Sequence, residues 1–302
     1  MDVERRRLLI FDTRISYGSK EHFFHFMWGY LLPAISFILN QADKGRNRYY
    51  FESCGPVMDR LTKEMIDLVE IDASILANQN VEFIQEPCVV PRWDIHLLRD
   101  YILGFDKDVS NHIAKFKSDS DLVVYLSTSN FTDKLRGQII ELRDIIISGI
   151  MNKSNLTTEM INDPWLVLRR SEQPDYYAIE GKAENKGYGM SRRGLKDIDI
   201  FVNKKKGLGL NITAYESGIH TIAHQIHTFN QAKGIIGIKG AEFANLIWMR
   251  ENSRVIQIRP NSMRTPNVQF KLATLLNLNF IEVITEEGNF PSMSNLNLDW
   301  LT

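Results

Sequence analysis

The stretch Gly234-Ile-Ile-Gly-Ile-Lys-Gly-Ala-Glu-Phe-Ala-Asn-Leu-Ile-Trp-Met249 decides the fold class of this chain. It reads as a short buried strand, a glycine turn and the first turns of a helix, and a second apolar strand, Arg254 to Ile258, follows. A parallel strand that hands over to a helix N-terminus leaves unpaired backbone N–H groups and the positive end of the helix dipole aimed at one point. Such a point suits a phosphate or a diphosphate. The stretch therefore reads as the nucleotide end of an α/β enzyme, although many strand-turn-helix units bind nothing.

Upstream, Ser217 to Phe229 carries Ile219, Ile222, Ala223, Ile226 and Phe229 on one helical face, and Leu210 to Thr213 reads as a strand. Trp165 to Leu168 is a further strand that ends in Arg169-Arg170. Between it and Arg192-Arg193 lies Ser171 to Arg193, rich in glycine and charge, which reads as a mobile loop over the site. Downstream come a helix around Asn267 to Leu276 and a last strand, Phe280 to Ile284. In the first half, Leu8 to Asp12, Arg48 to Glu52 and Val81 to Gln85 read as strands, Pro56 to Val69 as an amphipathic helix, and Thr132 to Ile150 as a core-facing helix. Phe23 to Leu39 reads as one or two buried helices, because His25, Gly29, Pro33 and Ser36 interrupt it short of a membrane span. Strands alternating with helices favour a mostly parallel sheet with helices on both faces. The polar run Met151 to Pro164 is the natural linker, giving an N-terminal domain over 1–155 and a C-terminal domain over 156–302.

With 302 residues, 44% of them hydrophobic, the chain can bury sizeable cores. A net charge of −1 argues against bulk nucleic-acid binding or adhesion to an acidic membrane. Two cysteines, Cys54 and Cys88, give no disulfide framework, and a reducing, cytoplasmic setting is the simpler reading.

Three segments resemble glycosyltransferase family 61: Ile222-Ala-His-Gln-Ile-His-Thr-Phe229, Ala232 through Asn245, and Arg254-Val-Ile-Gln-Ile-Arg-Pro260. Phe24-His25-Phe26 followed by Leu31-Leu32-Pro33 looks like the family's N-terminal helix. The resemblance implies a GT-B fold, two Rossmann-like domains facing across a cleft. It also implies inverting transfer of a sugar, xylose or N-acetylglucosamine first among the candidates, from a UDP-sugar to a carbohydrate hydroxyl. The donor is then a co-substrate, with no resident cofactor. Two positions depart from the family's glycine turn, which has His where Lys239 stands and Gly where Glu242 stands. Lys239 can still face a phosphate as a point charge, whereas Glu242 suits a sugar or ribose hydroxyl.

An inverting transfer needs a general base and charge stabilisation for the leaving diphosphate. Under the resemblance, the donor side comprises Arg169, Arg170, Arg192, Arg193, Lys239, Gly240, Ala241, Glu242 and Asn245, with Arg259 and Arg264 as alternative clamps. The base candidates are Asp94, after the apolar Val89-Val90, then Asp72 and His25. Trp93, Asp12 and Arg14 fit the acceptor side. No metal site is expected. Asp197-Ile198-Asp199 has DxD spacing but sits in an alternating, strand-like run, and Asp119-Ser120-Asp121 lies in a polar turn. His220, His224 and His227 share a helical face that reads more readily as solvated than as a zinc site. Lys204-Lys205-Lys206 reads as a solvated turn. Two other classes remain open: a catalytically silent carbohydrate- or nucleotide-binding module, and a sugar-nucleotide epimerase of the same fold.

Overall fold

The structure, a computed structural model, describes residues 7–11, 23–39, 47–76, 132–153, 163–172, 193–263, 268–298 and 301. The chain forms two compact units, Met1–Gly149 and Ile150–Thr302. The strand read at Val81 to Gln85 lies outside the described residues.

In the first unit, β1 (Arg7–Phe11), β2 (Asn47–Glu52) and β3 (Ala73–Leu76) pair in parallel in the order β1-β2-β3. Helix α1 (Phe23–Phe26) runs through a π-helical stretch, Met27–Leu31, into α2 (Leu32–Leu39). Phe26, Met27, Trp28, Leu31, Leu32 and Ile35 are all fully buried, as expected of a segment apolar on every side. Tyr30 meets Phe51 of β2 edge to face at 5.9 Å, which seats this helix on the sheet. Gly55, at φ 94°, turns the chain so that Pro56 can open α3 (Pro56–Val69). The helix buries Met58, Leu61, Met65 and Ile66 and ends at Glu70 in the left-handed region. Helix α4 (Thr132–Lys153) buries Ile139, Leu142, Ile146 and Ile150 at the spacing its sequence shows.

The second unit holds β4 (Trp165–Leu168), β5 (Ile212–Tyr215), β6 (Gly234–Ile238), β7 (Arg254–Pro260) and β8 (Asn279–Thr285). All pair in parallel, in the order β5-β4-β6-β7-β8. Residues of β4 and β6 are buried throughout, so these central strands read as unbroken apolar runs rather than alternating ones. One face of the sheet packs Trp165, Val167, Ile236, Ile256 and Ile258 against α5 (Ile198–Gly207) and Met293, Leu298 and Leu301. Each such buried side chain contributes about 1.5–3 kcal/mol. The other face carries α6 (Ile222–Gln231) and a 3-10 helix, Ala241–Trp248, and α7 (Val268–Leu275) lies between β7 and β8 in the chain.

Several local expectations change. Asp197-Ile198-Asp199 opens a helix, not a strand: Ile198, Phe201, Val202 and Lys205 are its buried residues, at i, i+3, i+4 and i+7, and Asp197 is its left-handed N-cap. The Lys triplet is the last turn of that helix, and Lys205 is buried, with Nζ donating to the carbonyls of Leu298 at 2.9 Å and Leu301 at 3.3 Å. Ser217–Ile219 is a separate 3-10 turn with Ile219 exposed, and α6 starts after Thr221, whose hydroxyl caps the amide of His224.

Candidate functional site

The chain passes from β4 to β5 on one side and then crosses to β6 on the other side of β4. The connections leaving the carboxyl ends of β4 and β6 therefore diverge, and this switch point is where open α/β sheets leave room for a ligand. Arg169-Arg170 follows β4 and Lys239-Gly240 follows β6 at this edge. Side chains alternate along a strand, so adjacent arginines go to opposite faces. Arg169 pairs with Asp199 of α5 at 2.5 Å. Arg170 instead reaches the β6 turn, with Nε 3.5 Å from Glu242 Oε1 and Nη1 3.4 Å from the carbonyl of Arg193.

Arg193 and Lys239 complete a cationic group. Arg193 Nε donates to the Lys239 carbonyl at 2.8 Å. Burial holds the Arg193 pKa below that of an ordinary guanidinium, the charge of Arg170 lowers it further, and Glu242 opposes both. Lys239 is 5% exposed, and its amide extends the β6–β7 ladder by donating to Ile258 at 2.8 Å. Burial lowers its pKa too, against the pull of Glu282 and with the help of Arg259 and Arg193. Gly240 is extended, and a Cβ placed there would lie 2.9 Å from Glu242 Oε2 and 3.8 Å from Arg170 Nη1. The missing side chain lets the pair close over the turn.

The helix that follows is 3-10 along its whole length, not the α-helix its sequence suggests. Such a helix leaves three initial N–H groups without an intrahelical acceptor. Those of Gly240, Ala241 and Glu242 donate to no side chain or distant backbone group among the described residues. Arg170, Arg193 and Lys239, with Glu242 beside Arg170 and Glu282 acting on Lys239, thus share one strand edge with the amides of residues 240–242, an arrangement that can hold an anion through short charge-assisted hydrogen bonds.

Asn245 is placed differently from its expected donor-side role. It is fully buried, its amide donating to Ser217 Oγ at 3.4 Å and Gln225 Oε1 at 3.2 Å while accepting from Trp248 Nε1 at 3.1 Å. It ties the 3-10 helix to α6. Arg169, turned to α5, stands apart from the cluster as well. Arg259 is committed to Glu282 at 3.0 Å and to the Met263 carbonyl at 2.6 Å. On the same sheet face, fully buried Gln257 leaves both amide atoms without a hydrogen-bond partner among the described residues. His220 and His224 stack at 4.1 Å with Tyr215 against them, and Tyr215 Oη contacts His224 Nδ1 at 3.2 Å. Burial lowers the His224 pKa, with His220 and His227 adding to the shift. Burial also pushes Tyr215 up to about 12.

In the first unit, Asp72 lies between α3 and β3, at the amino end of a strand, whereas ligands of parallel sheets collect at the carboxyl end. Residue His25 falls in α1. Asp94, Trp93, Asp12, Arg14, Arg192 and Arg264 lie outside the described residues. Residue Asp59, which sequence reasoning passed over, closes the turn after β2. It accepts from the Cys54 amide at 2.7 Å and from Ser53 Oγ at 2.6 Å. A carboxylate at that helix start repels anions. The signal for the Arg170–Glu242 pair was present in the strand-end arginine and the first-turn acid, but their pairing depends on the β4–β6 register.

A family model described as Glycosyltransferase 61 matches residues 23–256, more than three quarters of the chain. No curated protein matches it.

Proposed function

This chain belongs to glycosyltransferase family 61, and from that premise we propose that it moves a sugar, xylose or N-acetylglucosamine, from a UDP-sugar to a carbohydrate hydroxyl with inversion. The observation that carries the donor assignment is the approach of Arg170 and Arg193 to the turn from Lys239 to Glu242, where the amides of residues 240–242 have no partner among the described residues. In this reading the nucleoside diphosphate sits at that edge. As the glycosidic bond breaks, the growing charge on the β-phosphate oxygen meets fixed cations and amides, so the protein supplies the electrostatic role that a metal has elsewhere.

The acceptor side belongs to the first unit. Asp94 is the proposed base and His25 the second candidate, while Trp93, Asp12 and Arg14 hold the acceptor. The base takes the hydroxyl proton as the oxygen attacks the anomeric carbon from the face opposite the diphosphate, which inverts the anomer. Asp72, at the amino edge of its sheet, is left out of this scheme. A chain with two cysteines fits a reducing, cytoplasmic setting.

A panel of nucleotide sugars in a thermal-shift assay tests the donor: a ligand at about 100 times its Kd adds about 2.7 kcal/mol of stability. The donor that stabilises is then offered with carbohydrate acceptors, and the anomer of the product is read by NMR. No stabilisation by any nucleotide or nucleotide sugar refutes the donor site. A second reading, a silent binding module, draws on the Arg170–Glu242 contact, which already places a carboxylate at the turn. Binding with neither transfer nor slow donor hydrolysis would favour it.

A further inference from the structure

Glu242 is the anion that faces Arg170 and Arg193, while Lys239 is under the pull of Glu282, and the position of Glu242 is peculiar. Oε1 stands 3.5 Å from Arg170 Nε, longer than the 2.7–2.9 Å of a tight charge-assisted bond. Oε2 hangs over Gly240, 2.9 Å from where a Cβ would be. Neither oxygen accepts a hydrogen bond from the open amides of residues 240–242. The carboxylate is therefore held by charge over the very turn whose donors it leaves unused. A carboxylate that was part of the permanent framework would saturate those donors, as Asp59 does at the corresponding turn of the first unit with bonds of 2.6 and 2.7 Å.

We infer that Glu242 is a displaceable counter-anion: it offsets the charge of Arg170 and Arg193 while the site is empty and swings away from Arg170 and Gly240 when a diphosphate enters. The inference rests on the donor site proposed above and assigns its resting state. A diphosphate brings more oxygens and more charge than one carboxylate, so it can engage the amides and the cations together. The tethered carboxylate competes at high local concentration, which lowers the affinity of every anion for the site. Removing its charge removes the competitor.

The test is Glu242→Gln, which keeps the shape and deletes the charge, with inorganic pyrophosphate titrated into both full-length proteins by calorimetry and UDP as a second probe. The expected result is about tenfold tighter pyrophosphate binding by the variant, the strength of one charge-assisted contact. Without ligand the variant melts earlier than the wild type, because Arg170 and Arg193 have lost a counterion, and pyrophosphate raises its midpoint by more. A purely structural role for Glu242 lowers the ligand-free midpoint without improving affinity. If the wild type binds and the variant binds equally or more weakly, the inference falls and the donor site stands. If neither protein binds pyrophosphate or UDP, the donor site falls, and the inference with it.

Discussion

Replacing Arg170 and Arg169 one at a time by alanine separates a directed site from general positive charge. The two residues are chain neighbours at one strand end, so each variant removes the same charge from nearly the same place, and the long-range field changes alike. Their contacts differ. Arg170 is 20% exposed in its side chain and joins Glu242, whereas Arg169 is 40% exposed and pairs with a carboxylate that is itself 72% exposed. A charge-assisted hydrogen bond from a partly dehydrated guanidinium contributes about 1.5–3 kcal/mol. The Arg170→Ala variant also releases Glu242 to repel the ligand, which places the loss near the upper end, roughly 100-fold in Kd for UDP. For Arg169→Ala, the exposed pair contributes about 0–1 kcal/mol to folding and nothing to the ligand. Titration calorimetry with UDP at fixed ionic strength reads both. Equal losses in the two variants, or a larger one at Arg169, would refute the division of the two side chains between opposite sheet faces.

Three further outcomes follow from the geometry. The variant Lys205→Met strands the carbonyls of Leu298 and Leu301; denaturant unfolding should show a loss of about 1–3 kcal/mol with UDP affinity unchanged. In Gly234→Ala, the new Cβ falls 2.5 Å from the buried Trp165 ring, so a loss of at least about 1–3 kcal/mol, or no soluble protein, is expected. Because burial lowers the Lys239 pKa, native protein releases that proton before the unfolded chain does. Between the two pKa values the unfolded state holds more protons, so stability rises with pH while UDP affinity falls as the ammonium is lost. The alkaline fall should begin below the ordinary lysine range and vanish in Lys239→Met.

The elements that sequence exposed best are those whose pattern has a single physical reading. Strand β4 and helix α3 end where their apolar runs and the Pro56 start place them. Helix α5 was hidden because Ile198, Ile200 and Val202 alternate with polar or bulky residues over a span too short to separate two periods; Phe201 and Lys205, buried at i+3 and i+7, settle the phase. Strand β3 was missed because Ala73-Ser-Ile-Leu76 is only four residues long, too short for a period to show. At the site, the strand-end cations were legible as residue types. That Arg170 and not Arg169 meets Glu242 was not, since the choice depends on which face each strand position takes. Nor was the burial of Asn245, whose partners Ser217 and Gln225 come from elements whose packing no local pattern announces.

The notch at Gly234 reaches beyond stability. Strand β4 is apolar on both sides, so sliding it by one residue would cost little in hydrophobic terms, yet it would exchange the destinations of every following side chain. What forbids the slip is the indole of Trp165 lying where Gly234 has no side chain. A single absent methyl thus acts as the alignment mark of the sheet, and the aim of a guanidinium five positions later along the chain is set by it.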